Sequence, residues 1–185
     1  DVEAVLRREG DSIAAVYVTS PDYFGVLADI PGLSAVCRRY DVPLLVDNAH
    51  GAHLFFTSPA CHPLGEGADM TACSAHKTLP VLTGGAWLNL ADGKYAPFAR
   101  DAMALFASTS PSYLILTSLD LCTRWAHDQA RPAMQALQEK AAQVRCLAED
   151  WGFVFPQGRT DPARLALDVS AYGISGETAA EHFRG

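Results

Sequence analysis

The chain has 185 residues, 49% of them apolar and 19% charged, with a formal net charge of -7. This composition supports a buried core and excludes a disordered chain. An acidic balance without a basic block excludes nucleic acid as a main partner, and no apolar run approaches the roughly 18 residues of a membrane span.

In chain order, residues 2–9 predict a helix with Val2, Val5 and Leu6 on one face, broken by Gly10-Asp11. Residues 13–18 form a continuous apolar run, the pattern of a parallel strand covered on both faces. Thr19 to Gly25 reads as the loop at that strand's carboxyl end. Ile30-Pro31-Gly32 introduces a helix over about 33–40, with Leu33, Val36 and Cys37 at helical spacing. A second strand, 43–47, ends in Asp47, and a third, 69–74, runs into Ser74-Ala75-His76-Lys77-Thr78. A fourth, 86–90, follows Gly84-Gly85, which marks a tight approach or bend. Short apolar strands alternating with helices predict an α/β fold with a mostly parallel sheet.

Beyond Tyr95 the pattern turns helical, over 95–106, 112–128 and 132–151, with breaks at 108–111 and at Arg131-Pro132. Residues 164–169 alternate like a half-exposed strand, and Ser175-Gly176-Glu177 opens a last helix. The pattern divides the chain into a major domain over 1–155 and the beginning of a small α+β domain over 156–185. Both ends fall within helical patterns, so the chain reads as a piece of a longer polypeptide.

In an open α/β sheet, ligands sit at the carboxyl ends of the strands. The loops starting at Thr19, Asp47 and Ser74 all fall there. An acid and a lysine at the ends of two core strands suit pyridoxal phosphate, which needs an anion at one end and a Schiff-base amine at the other. Asp47 would keep the pyridine nitrogen protonated; its plain alternative is a helix-capping acid. Lys77, between Ala75-His76 and Leu79-Pro80-Val81-Leu82, is expected in a dry setting that favours the free amine. Its plain alternative is a solvated loop lysine.

His50 is placed against the cofactor ring or near a substrate carboxylate, and His53 reads as a partly buried polar residue. The spacing of these two carries no HExxH pattern, and no metal is expected. Ser74 and His76 can donate to a phosphate. Neither GxxxxGK[ST] nor GxGxxG occurs, so further phosphate donors would come from upstream or from another subunit. The five cysteines are widely spaced and odd in number, which fits a reducing cytoplasm.

Residues 46–53, Val-Asp-Asn-Ala-His-Gly-Ala-His, followed by Gly67-Ala68-Asp69 and Ser74-Ala75-His76-Lys77-Thr78-Leu79-Pro80, resemble the major domain of the Orn/Lys/Arg decarboxylases. Thr19 to Gly25, Ser108 to Tyr113 and Tyr172 to Gly176 also look like segments of that family. The resemblance implies the three-layer α/β/α, aspartate-aminotransferase-like fold of fold type I pyridoxal-phosphate enzymes. It implies decarboxylation of arginine, lysine or ornithine in a homodimer or higher homo-oligomer. Lys77 would carry the cofactor, Asp47 would pair with its pyridine nitrogen, and Ala49 would pack on one ring face. His50 would lie close to the substrate. Ser74 and His76 would contact the phosphate, and His76 or Lys77 would return a proton to carbon. Ser20 would stand near the ring hydroxyl, and Thr109 and Ser110 would reach the phosphate in the partner subunit's site. Position 48 is Asn where many members carry an acid. Another reaction of the same fold, an aminotransferase or an aldol-type lyase, and a non-catalytic fragment are the competing readings.

Overall fold

A computed structural model describes residues 1–106 and 110–184. Four short strands build one sheet in the order β1 (Val16–Thr19), β2 (Leu44–Asp47), β3 (Met70–Cys73) and β4 (Trp87–Leu90). The first three are mutually parallel, and β4 runs antiparallel to β3. A parallel return needs a long crossover. Between β3 and β4 the chain has only a four-residue helix, Ala75–Thr78, and its flanking turns, so it doubles back instead. Gly84 makes the bend possible with φ +98, and a Cβ on Gly85 would lie 2.3 Å from Val81 Cγ1.

The helices are α1 (Val2–Glu9), α2 (Ile30–Arg39), α3 (Ala75–Thr78), α4 (Ala96–Phe106), α5 (Tyr113–Trp125), α6 (Arg131–Asp150) and α7 (Gly176–Arg184). Asp29 caps α2 by accepting from the Gly32 N–H at 3.0 Å, and Pro31 sits in the first turn, where its missing N–H costs nothing. This start lies three residues ahead of the one read from the apolar spacing. Ser175 caps α7 through the Thr178 N–H at 3.1 Å.

Alternation places Val16, Val18, Leu44 and Val46 against Ile30 and Cys37 of α2. Farther along the sheet, Cys73 and Trp87 meet Cys122 and Trp125. The opposite face carries Tyr17, 65% exposed, and Leu88, 40% exposed. Among the described residues, β1 is therefore covered on one face, not on both as its apolar run predicted.

Two further expectations change. Pro132 does not break the helical path: residues 126–130 form a π-helical turn that joins α5 to α6. Proline removes one helical N–H, and a widened turn is one way to keep the path continuous. Residues 164–169 form no strand, because their alternation has no neighbouring strand to pair with; the single bridge is Val154 with Asp168. Residues 156–164 instead fold back on the loop after β1, where the Leu27 N–H donates to the Arg159 carbonyl at 2.8 Å.

Candidate active site

The site lies at the carboxyl ends of β2 and β3, which register pairs as Asp47 with Ala72. Asp47 points to the open sheet face. Its Oδ1 accepts from the Ala49 N–H at 3.0 Å and its Oδ2 from the Tyr17 hydroxyl at 3.3 Å. The Tyr17 phenol is pushed up, first by desolvation and then by the Asp47 charge. In the sequence Tyr17 stands only as one residue of an apolar strand pattern. Its parity with Thr19, which registers with Asp47, was the available signal.

Asn48 is fully buried and ties three strand ends together. Its Nδ2 donates to the Ser20 carbonyl at 2.7 Å, the Cys73 thiol donates to its Oδ1 at 3.2 Å, and its N–H donates to the Ala72 carbonyl at 2.9 Å. An acid here could not donate to Ser20, so the amide matches this surrounding. Gly51 leaves the room that Asn48 needs, since a Cβ there would come within 2.3 Å of Asn48 Nδ2. Ala49 and His50 are thereby presented between the Asp47 carboxylate and the turn that bears the lysine.

Lys77 Nζ stands 3.3 Å from His50 Nε2. Burial, then the charges of Lys77 and Arg164, hold the His50 pKa below the ordinary imidazole value, against the opposing pull of Asp47. His50 is thereby held toward the neutral imidazole, whose Nε2 can accept a hydrogen bond from the Lys77 amine. Its ring meets Tyr23 edge-on at 5.4 Å between centroids.

Lys77 itself is exposed, which corrects the dry setting expected from its flanks. Ala75 and Leu79 are buried because they share the inner face of α3, and Lys77 lies between them on the outer side. Beside it, the His76 Nδ1–H donates to the Gly85 carbonyl at 3.0 Å, so Nε2 is the ring nitrogen left for another partner. Ser74 precedes α3, and its hydroxyl makes no cap hydrogen bond.

Ser20 is 1% exposed; its hydroxyl accepts from the Ala28 N–H at 3.1 Å and its carbonyl holds Asn48. These two bonds position the loop after β1. Thr109 lies outside the described residues, and Ser110 is exposed ahead of the α5 cap. Asp47, Ala49, His50, Ser74, His76 and Lys77 are brought together along adjoining loops.

The site adjoins two residues that the sequence did not signal, Asp161 and Arg164, and His53, expected to be a partly buried polar residue. His53 Nε2 bonds Asp161 at 3.0 and 2.9 Å to its two oxygens, and both side chains are nearly solvent-free. Arg164 follows on the same segment and lines a cavity together with His50, His53 and Lys77. No spacing rule links residues 108 positions apart, so the sequence offered no signal for this contact.

Residues 3–155 match the major domain of the Orn/Lys/Arg decarboxylases. The chain belongs to this family. It is 29% identical over 190 residues to the arginine decarboxylase of Bacillus anthracis, covering 96% of this chain and 38% of that protein. It is also 29% identical over 179 residues to the arginine decarboxylase of Bacillus subtilis, covering 90% of this chain and 36% of that protein. The chain thus spans less than half the length of these curated relatives. Its fold is similar to that of the Sphingomonas wittichii serine palmitoyltransferase, with a TM-score of 0.68 at 16% identity, over 83% of this chain and 39% of that one. The architecture is that of fold type I pyridoxal-phosphate enzymes. Among the described residues, no helix is long and apolar enough to cross a membrane.

Proposed function

We propose that this chain carries the cofactor-binding part of a pyridoxal-phosphate-dependent decarboxylase acting on a basic amino acid: arginine, lysine or ornithine. The observation that carries the reading is the 3.3 Å contact between Lys77 Nζ and His50 Nε2, in the loop that begins with the Asp47 carboxylate. Kinship with proteins named arginine decarboxylase supports arginine among the three.

The residues present fit the cofactor. A carboxylate at the end of one parallel strand and an exposed primary amine after the next supply the anion and the nucleophile it requires. When bound, the cofactor supplies an electron sink for the pair left at the α-carbon as carbon dioxide departs. Asp47 would hold the pyridine proton, and Ala49, with its small side chain beside Asp47, would leave room for a flat ring. His50 would accept a hydrogen bond from Lys77 Nζ and orient the amine, and Lys77 would carry the proton that returns to carbon. The unspent Ser74 hydroxyl and the His76 side chain would meet the phosphate. Residues 1–155 would form the major domain and 156–185 the beginning of the small one, in a homodimer or larger homo-oligomer.

The test is carbon dioxide release from arginine, lysine and ornithine, each with pyridoxal phosphate, by wild type and by Lys77→Arg. The reading expects release from one of the three and none from the variant. Amino-group transfer or aldol cleavage without carbon dioxide would overturn it.

A further inference from the structure

A cavity of about 270 Å³ lies beside Lys77, and the active-site loop forms only part of its wall. His50, Lys77 and Thr78 border it on one side, and His53, Asp161 and Arg164 on the other. Met134 and Leu137 of α6 add an apolar wall.

Three features give this cavity an unmet demand for an anion. First, Arg164 is half-buried and its guanidinium makes no ion pair among the described residues; its charge faces the ring of Tyr23 at 5.7 Å. Second, the buried hydroxyl Thr78 Oγ1 has no hydrogen-bond partner and can donate to an anion, while His53 Nδ1, likewise unpartnered, is an acceptor in the neutral ring whose Nε2–H donates to Asp161. His53 is only 5% exposed. Such atoms are costly when left unpaired. Third, Asp161, the carboxylate in the lining, is already spent on His53 Nε2 and on the Ala163 N–H at 2.9 Å. The charge left for a ligand is that of Arg164.

We propose that this cavity takes the α-carboxylate of the amino-acid substrate, with Arg164 as its charged anchor. The inference rests on the reading that Lys77 receives the substrate's amino group. A guanidinium offers the forked donors that a carboxylate matches. Thr78 Oγ1–H adds a third donor. The Arg164 charge repels the distal cation of a basic substrate, so the substrate enters carboxylate first with its distal cation outward. Loss of carbon dioxide removes the group that Arg164 holds, and the product amine leaves without that anchor.

The test measures affinity by calorimetry for two matched pairs, L-arginine with agmatine and L-lysine with cadaverine, on the protein with and without pyridoxal phosphate. Each pair differs only in the carboxylate. Wild type is expected to prefer the amino acid. Arg164→Met is expected to weaken the amino acid by about tenfold or more, leaving the amine within about twofold. Thr78→Val removes a hydroxyl that has no partner, so the melting temperature is expected not to fall while amino-acid affinity drops several-fold. A purely structural threonine would show no change in ligand preference. Equal affinities within each pair in wild type overturn the inference, as does a preference that survives both substitutions.

Borohydride trapping separates the two readings. Lys77 trapped with pyridoxal phosphate, together with a preference indifferent to Arg164→Met, sinks the carboxylate site and leaves the decarboxylase. Lys77 untrapped, together with a preference that depends on Arg164, leaves a carboxylate site and sinks the decarboxylase.

Discussion

The Lys77 amine and the His50 imidazole meet through Nζ and Nε2 at 3.3 Å, beyond the ends of two adjacent parallel strands. His50 belongs to the loop that starts at Asp47, so a nucleophile, a proton acceptor and an anion converge on one sheet edge. Fold alone does not supply this, since the same strands in another sequence present other side chains.

Replacing His50 by Ala removes the acceptor. The rate at which Lys77 is trapped with pyridoxal phosphate and borohydride is expected to fall about 100-fold. The pH dependence has a definite sign. The His50 pKa is lowered, so its neutral form persists as pH falls through 6.5 and is lost only below that. The ratio of wild-type to His50→Ala trapping rates is therefore expected to hold steady across pH 6.5 and to decline at lower pH. A ratio that halves near or above 6.5 contradicts the assignment.

Asn48→Asp should unfold the loop more readily. The aspartate cannot donate to the Ser20 carbonyl, and it brings a charge to a position with 0% exposure. The expected loss is about 2–4 kcal/mol, read from urea unfolding. Unchanged stability would mean that the amide is not the tie among the three strand ends.

His62 makes stability fall in acid. Burial, then the charge of His53, lowers its pKa from 6.5 to about 4. The unfolded chain binds this proton below pH 6.5, whereas the folded chain binds it only near pH 4. The stabilisation is therefore full above 6.5 and is lost progressively down to about 4. The integrated loss is about 3 kcal/mol. Urea midpoints measured from pH 7 to 4 should show a component of this slope that disappears in His62→Gln.

Breaking the buried His53–Asp161 pair from one side leaves a buried polar group alone. Asp161→Ala is expected to cost about 3–5 kcal/mol, and the double variant His53→Leu with Asp161→Leu is expected to cost less than Asp161→Ala. Proteolysis after Arg159 and Arg164 should accelerate in Asp161→Ala, because this pair holds residues 156–164 to the loop after β2. Equal cleavage rates would contradict that role.

The strands, the acid and the lysine were legible because each depends on a local pattern: a short apolar run, a polar turn, a carboxyl end. The exposure of Lys77 was not, because a buried Ala75 and Leu79 say which face of α3 packs and nothing about the residue between them. Residues 164–169 alternate correctly for a strand, but pairing needs a partner that alternation cannot supply. Pro132 signalled a break, whereas the surrounding helix absorbed it in a π turn. Asp161 and Arg164 reach the site through tertiary contacts alone, so their part in it emerged only from the folded chain.

The most direct measurement is the location of the reduced pyridoxal-phosphate adduct by peptide mapping. The chain has three lysines, Lys77, Lys94 and Lys140, and all are exposed, so accessibility does not favour one of them. The account predicts modification concentrated at Lys77 and diminished there by Asp47→Asn. Equal labelling of the three lysines, or labelling of Lys77 indifferent to Asp47, would contradict it.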